Sequence, residues 1–148
     1  MKISDFLSPA DVMIDVRVND KSRLLQELSD KAAARTGLKE DEVFEQIVKR
    51  EALGSTGVGN GVALPHSRIG GLRSPFGLLA RLRQPVDFEA IDEQPVNIVF
   101  LLLIPEGADN NALASVARAL RTHDRLQQIR AARTPGEIFR AMTELGSP

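Results

Sequence analysis

The chain has 148 residues, 43% of them hydrophobic and 26% charged, with no Cys, two His and a formal net charge of −1. That length suits one domain able to bury a core without covalent staples. The missing Cys excludes disulfides, thiolate nucleophiles, Cys-ligated zinc and iron–sulfur clusters. Nineteen Lys and Arg balance twenty Asp and Glu, and the aromatics are Phe alone, so neither a basic nucleic-acid footprint nor a stacking platform for single strands is present. The start, Met1-Lys2-Ile3-Ser4-Asp5-Phe6, lacks the apolar core of a signal peptide. The longest apolar run, Ile98 to Ile104, is too short to span a bilayer. A soluble, cytoplasmic α/β protein without membrane insertion is the expectation.

Val12 to Val18 alternates, which predicts a strand with Ile14, Val16 and Val18 on one face and Asp15 and Arg17 on the other. Asn19 or Asp20 is placed to cap a helix carrying Leu24, Leu25, Leu28 and Ala32, and Gly37 ends it. A second helix starts near Lys39 or Glu40, carries Val43, Phe44, Ile47 and Val48, and stops by Gly54. Residues 54–71, GSTGVGNGVALPHSRIGG, then hold six of the eleven Gly. Such density costs backbone entropy and is tolerated where the chain needs positive φ or close backbone approach. Within it, Val62-Ala63-Leu64 reads as a short strand interrupted by Pro65.

Phe76 to Arg83 is predicted to be a strand, ended by Gln84-Pro85. Residues 86–95 read as a loop whose Asp87, Glu89, Asp92 and Glu93 are solvated charges. Val96 to Ile104 is the expected central strand, closed by Pro105-Glu106-Gly107. Three helices follow. One spans Ala112 to Leu120, one is capped by Asp124, and one is announced by Thr134-Pro135-Gly136-Glu137. The order β-α-α-β-β-β-α-α-α predicts a single-domain α/β sandwich over residues 1–148, a mixed central sheet flanked by helices.

Any imidazole chemistry falls on His66 or His123. His66 follows Pro65, which restricts the backbone around it, and has Gly clusters on both sides. An imidazole held at a strand end is a good nucleophile or base near neutral pH. Gly57-Val58-Gly59-Asn60-Gly61 completes neither the dinucleotide fingerprint nor the P-loop spacing. What survives is a looser anion nest of backbone N–H groups. Ser55, Thr56 and Ser67 add hydroxyls to it, and Arg50 and Arg68 add planar cationic donors. Ser55 and Thr56 also suit the simpler task of ending a helix. His123 reads as a connector between helices, and Asp109 as an N-cap.

The stretch Arg50-Glu51-Ala52-Leu53-Gly54-Ser55-Thr56-Gly57-Val58-Gly59-Asn60-Gly61-Val62-Ala63-Leu64-Pro65-His66 resembles the EIIA domain of the phosphoenolpyruvate-dependent sugar phosphotransferase system, mannitol/fructose type. REALGSTGVGNG, PVDFEAIDEQPVNIVFLLLIPEG and TPGEIFRAMTE look most like its nitrogen-regulatory branch. The resemblance implies that His66 accepts a phosphoryl group on Nε2 from an HPr-like phosphocarrier. It places Arg50 near the phosphohistidine, with Ser55, Thr56, Gly57 and Ser67 as further phosphate-stabilising groups. It implies no metal and no cofactor. Similar domains carry a second His at the helix start after the buried strand. The matching stretch here, Pro105 to Leu113, has none, and Asp109 is the nearest replacement. A carboxylate there would orient an imidazole N–H but repel a phosphoryl group.

The implied function is a phosphotransferase component whose phosphorylation state regulates partner proteins, with potassium transport or sensor kinase proteins as possible targets in that branch. Two alternatives stand beside it. One is a binding-only regulator with impaired phosphotransfer, and the other is a subunit passing phosphate to a sugar permease. Phosphorylation would add a local dianion and so switch a docking surface.

Overall fold

The computed structural model describes residues 1–144. Its strands are β1 (Val12–Val16), β2 (Gly57–Gly59), β3 (Val62–Ala63), β4 (His66–Ile69), β5 (Phe76–Val86) and β6 (Val96–Pro105). Its helices are α1 (Lys21–Thr36), α2 (Glu40–Ala52), α3 (Asn111–Ala119), α4 (His123–Ala131) and α5 (Pro135–Thr143). The strands form one sheet in the order β1-β5-β6-β3-β2, with β4 also paired to β6. β1 runs parallel to β5, β3 and β4 run parallel to β6, and β5 is antiparallel to β6. The sheet is mixed, as the element order requires.

β6 is the axis of the sandwich. A strand covered on both faces needs apolar side chains at every position rather than alternate ones. The sequence VNIVFLLLIP supplies them, and only Asn97 departs from full burial. Ile98, Phe100, Leu102 and Ile104 face a core shared with α3, α4 and α5. Val99, Leu101 and Leu103 face a second core shared with α1 and α2. The helix ends follow ordinary capping chemistry. Asp20 accepts the Arg23 N–H at 2.8 Å at the start of α1, and Gly37 leaves it at φ 78°. Thr134 accepts the Glu137 N–H at 3.1 Å at the start of α5.

Four local readings are corrected. In β1 the alternation breaks at Asp15, whose φ is +54° and beside which the pairing with β5 shifts register. Such a bulge exchanges the two faces of a strand. Val12 and Ile14 therefore face the α3–α5 core, and Val16 and Val18 the α1–α2 core. β5 does not stop at Gln84-Pro85 but continues to Val86, because its ladder with β6 is irregular between Arg81 and Val86, where Pro is tolerated. Asn60 and Gly61, at φ 57° and 77°, turn β2 into β3 as a two-residue hairpin. That hairpin adds a strand the apolar pattern does not show. α4 begins at His123 with Thr122 in the cap position, two residues before Asp124.

The loop after β5 is not simply solvated. Phe88 is fully buried against α1 and α2. Burying that ring stabilises the fold by about 1.5–3 kcal/mol. It also fixes the backbone carbonyl of Phe88 as an anchor for the segment around Ser55. No helix among the described residues is long and apolar enough to cross a membrane.

Candidate functional site

β3 and β4 are two halves of one strand. Val62 and Ala63 sit opposite Ile98 and Val99, and His66 to Ile69 sit opposite Leu102 to Pro105, with the same register throughout. Pro65 lies at the break because it brings no N–H to the ladder. Its carbonyl still accepts the Leu102 N–H at 2.9 Å. Leu64 turns its own N–H toward the carbonyl of Thr56, at 3.0 Å.

The Leu64 carbonyl is the partner of His66 Nδ1, at 2.8 Å. A carbonyl can only accept, so Nδ1 carries the proton and the neutral ring leaves its lone pair on Nε2. Partial burial lowers the His66 pKa from its ordinary 6.5. The Leu64 hydrogen bond opposes that effect, Arg50 and Arg68 add to it, and Glu51 opposes it. The result is a neutral nucleophile at physiological pH.

His66 lines an open groove of about 550 Å³ at one end of the sheet. The last turn of α2 contributes Lys49 and Arg50, and Leu53 follows it. β4 contributes His66, Ser67 and Arg68, and Asn110 stands at the head of α3. Arg50 Nη1 donates to the Gly54 carbonyl at 3.0 Å, which holds the guanidinium along the end of its own helix. The Ser67 hydroxyl donates to the Arg68 carbonyl at 3.2 Å.

The other candidates point elsewhere. Ser55 Oγ donates to the Phe88 carbonyl at 2.8 Å and accepts the Gly57 N–H at 3.0 Å. Thr56 is buried, and both its N–H and its hydroxyl donate to Glu51. Gly57 packs directly on Ala90. None of these three lines the groove. Asp109 is not the N-cap of α3, since the helix starts at Asn111 and Asn110 holds the cap position. The Asp109 carboxylate accepts the Asn111 N–H and Nδ2, each at 3.0 Å, and it is Asn110 that faces the groove. His123 is exposed at the start of α4, outside the groove.

Two supporting residues escape sequence reasoning. Glu51 Oε2 pairs with Lys21 Nζ at 2.9 Å, with side-chain exposures of 6% and 17%. Lys21 Nζ also donates to the Phe88 carbonyl at 3.2 Å and stands 4.5 Å from the centre of its ring. A continuous path results. Lys21 holds Glu51, Glu51 holds Thr56, the Thr56 carbonyl holds Leu64, and the Leu64 carbonyl orients His66. Glu51 lies within the motif that carries the resemblance, but nothing in the sequence pairs it with Lys21 on another helix.

Residues 5–145 match the family described as phosphoenolpyruvate-dependent sugar phosphotransferase system, EIIA 2. A nitrogen regulatory protein of Bradyrhizobium diazoefficiens is 48% identical over 142 residues, covering 94% of this chain and 93% of that protein. The crystal structure of the nitrogen regulatory protein IIA-Ntr from Neisseria meningitidis superposes with a TM-score of 0.90 at 33% identity, covering 95% of this chain and 99% of that one. The IIA mannitol structure from Escherichia coli shares the fold, with a TM-score of 0.78 at 13% identity over 93% of this chain and 99% of that one. By sequence and by fold alike, this chain belongs to the EIIA 2 family of the phosphoenolpyruvate-dependent sugar phosphotransferase system, among its nitrogen regulatory proteins.

Proposed function

We propose that the protein accepts a phosphoryl group on His66 Nε2 from a phosphohistidine on an HPr-like carrier, and that its two states bind regulatory partners differently. The observation carrying this reading is the Nδ1 to Leu64 carbonyl bond at 2.8 Å. It leaves Nε2 as the free lone pair of a neutral ring in an open groove that Arg50 also lines.

The chemistry asks little of the protein beyond placement and charge stabilisation. The Nε2 lone pair attacks phosphorus as the nitrogen–phosphorus bond of the donor breaks. The electron pair of that bond returns to the donor imidazole, which leaves neutral if it starts as an imidazolium. The His66 ring becomes the phosphorylated imidazolium and keeps its Nδ1 proton. No proton has to move, and the Leu64 carbonyl stabilises the cation formed. Lys49 and Arg50 line the groove that receives the group. Ser67 follows His66 on β4 and also lines the groove. Ser55, Thr56 and Gly57 serve this site indirectly, by fixing the segment whose Thr56 carbonyl holds Leu64.

A phosphoryl group brings about −1.5 to −2 charges at neutral pH. In a groove lined by Lys49, Arg50 and Arg68 it offsets much of the local positive charge, so a partner that docks there distinguishes the two states. This is the basis proposed for regulating targets such as potassium transport or sensor kinase proteins from the cytoplasm. Incubation with phosphoenolpyruvate and a purified phosphocarrier system, read by intact-mass spectrometry, tests the reading. One phosphoryl group on the wild type and none on His66→Ala is expected. An unlabelled wild type would overturn it and leave a binding-only regulator, and a His66→Ala variant labelled as well as the wild type would overturn His66 as the acceptor.

A further inference from the structure

The groove has a second polar wall, and its geometry separates two residues with different tasks. His66 and Arg68 are two apart on β4, so their side chains leave the same face of the strand. The Arg68 guanidinium does not lie free in the groove. Its Nη1 donates to the Ala108 carbonyl at 2.6 Å and reaches the Pro105 carbonyl at 3.5 Å. Its Nη2 donates to Asn110 Oδ1. Arg68 thus ties the β6–α3 connection to the strand that carries His66.

Asn110 occupies the N-cap position of α3 but makes no side-chain cap bond. That task falls to Asp109, whose carboxylate accepts the Asn111 N–H at 3.0 Å. The Asn110 carboxamide is therefore available, and Arg68 sets which way it faces. A guanidinium only donates, so it must meet the carboxamide oxygen, which turns Nδ2 to the other side. Nδ2 makes no hydrogen bond to another described residue, and the side chain lines the groove with His66.

We propose that Asn110 Nδ2 is a phosphoryl-binding donor in the groove that Arg50 also lines, and that Arg68 is a positioning residue acting through Asn110. This rests on the reading of His66 as phosphoacceptor. An amide in this place binds an incoming dianion without the repulsion that the carboxylate of Asp109 would bring. It also cannot titrate, so this wall stays a donor across the whole pH range in which His66 is neutral.

The test uses the intact protein with two donors, a phosphorylated carrier and potassium phosphoramidate. The small donor removes protein docking from the comparison. Asn110→Ala should slow labelling of His66 by both donors about tenfold, the usual size of a lost hydrogen bond to a charged group. Asn110→Asp, which keeps the shape and the Arg68 contact, should be slower still and should shorten the lifetime of the phosphohistidine. Arg68→Met should slow labelling in the wild-type background and have little further effect beside Asn110→Ala, since coupled residues are not additive. Phosphorus NMR of the phosphorylated protein should show a shifted resonance in Asn110→Ala, which a merely structural role would not produce. Melting temperatures of the exposed-site variants serve as the control, and Asn110→Ala decides the matter if Asn110→Asp fails to fold. Rates within twofold of wild type for Asn110→Ala, with the wild type labelled normally, would overturn this inference and leave the role of His66 intact. A wild type that neither donor labels would overturn the His66 reading itself, and this inference with it.

Discussion

Removing the Glu51 carboxylate should cost the fold about 3 kcal/mol and loosen His66 at the same time. The carboxylate is 6% exposed and receives Lys21 Nζ at 2.9 Å, the Thr56 N–H at 3.2 Å and the Thr56 hydroxyl. Breaking a buried pair by deleting one partner typically costs about 3–5 kcal/mol. The lower end applies here, because the Lys21 ammonium keeps the Phe88 carbonyl at 3.2 Å and the Phe88 ring at 4.5 Å. The Thr56 donors left without a partner overlap with that loss rather than adding to it. For a chain of 148 residues, about 3 kcal/mol corresponds to a fall in Tm of roughly 6–12 °C. Glu51→Ala and Lys21→Met, singly and together in urea denaturation, measure the loss and the coupling of the pair, expected at about 1–3 kcal/mol. Glu51→Gln adds a second readout. Since Glu51 raises the His66 pKa, its loss should move the His66 titration, followed by proton NMR, to lower pH. A Glu51→Ala variant within about 0.5 kcal/mol of wild type, the usual range for an inconsequential surface change, would refute the path from Lys21 to His66.

Four further outcomes follow from the same geometry. Because partial burial lowers the His66 pKa below 6.5, the initial rate of labelling by phosphoramidate should hold level as pH falls through 6.5 and decline only at lower pH. The same shift makes the unfolded chain bind its proton first, so the stability associated with this group is present above pH 6.5 and is lost as the pH falls through the folded value. Comparing urea midpoints of wild type and His66→Gln between neutral and mildly acidic pH checks it, and a wild type that gains stability relative to the variant on acidification would contradict it. Gly57→Ala should destabilise by about 1–3 kcal/mol, since its Cβ would stand 2.7 Å from the Ala90 Cβ and 2.9 Å from the Ala90 Cα; thermal melts decide this. Thr134→Ala should cost about 1 kcal/mol by removing the cap of α5, with no change in the labelling rate of His66.

Much of this was legible because period and capping are local. The run VNIVFLLLIP has one reading as a strand buried on both faces, and Asp20, Gly37 and Thr134 mark helix ends by side-chain chemistry alone. The illegible parts depend on what meets them in space. The bulge at Asp15 arises from pairing with β5, so the sequence alternation of β1 runs straight through it. β4 has the pattern HSRI, which is no strand signal by itself, and it is a strand because β6 extends beside it. At the site, the segment 50–66 singled out His66 and Arg50, and both line one groove. It grouped Ser55, Thr56 and Gly57 with them because adjacency in sequence does not show that strand and loop geometry turn those groups toward Phe88, Glu51 and Ala90. The shift from Asp109 to Asn110 is one residue, within the usual uncertainty of a helix start, yet it exchanges a carboxylate for an amide.

The glycine-rich segment has a physical purpose that its composition does not announce. A direct anion nest would put its N–H groups around the phosphoryl group. Here the Gly57 N–H is taken by Ser55 and the Asn60 N–H by Asp92. The tight Asn60-Gly61 turn instead folds the chain back on itself, so that β3 returns beside the segment it has just left. That return is what brings the Thr56 carbonyl to the Leu64 N–H at 3.0 Å. Leu64 is then held at both ends of its peptide groups, by Thr56 on one side and His66 on the other. A carbonyl so fixed holds the imidazole in one tautomer and one orientation, a condition for in-line transfer. The glycines thus act one step removed from the groove: they build the support for the hydrogen bond that leaves Nε2 free, while Arg50 and Asn110 line the groove itself.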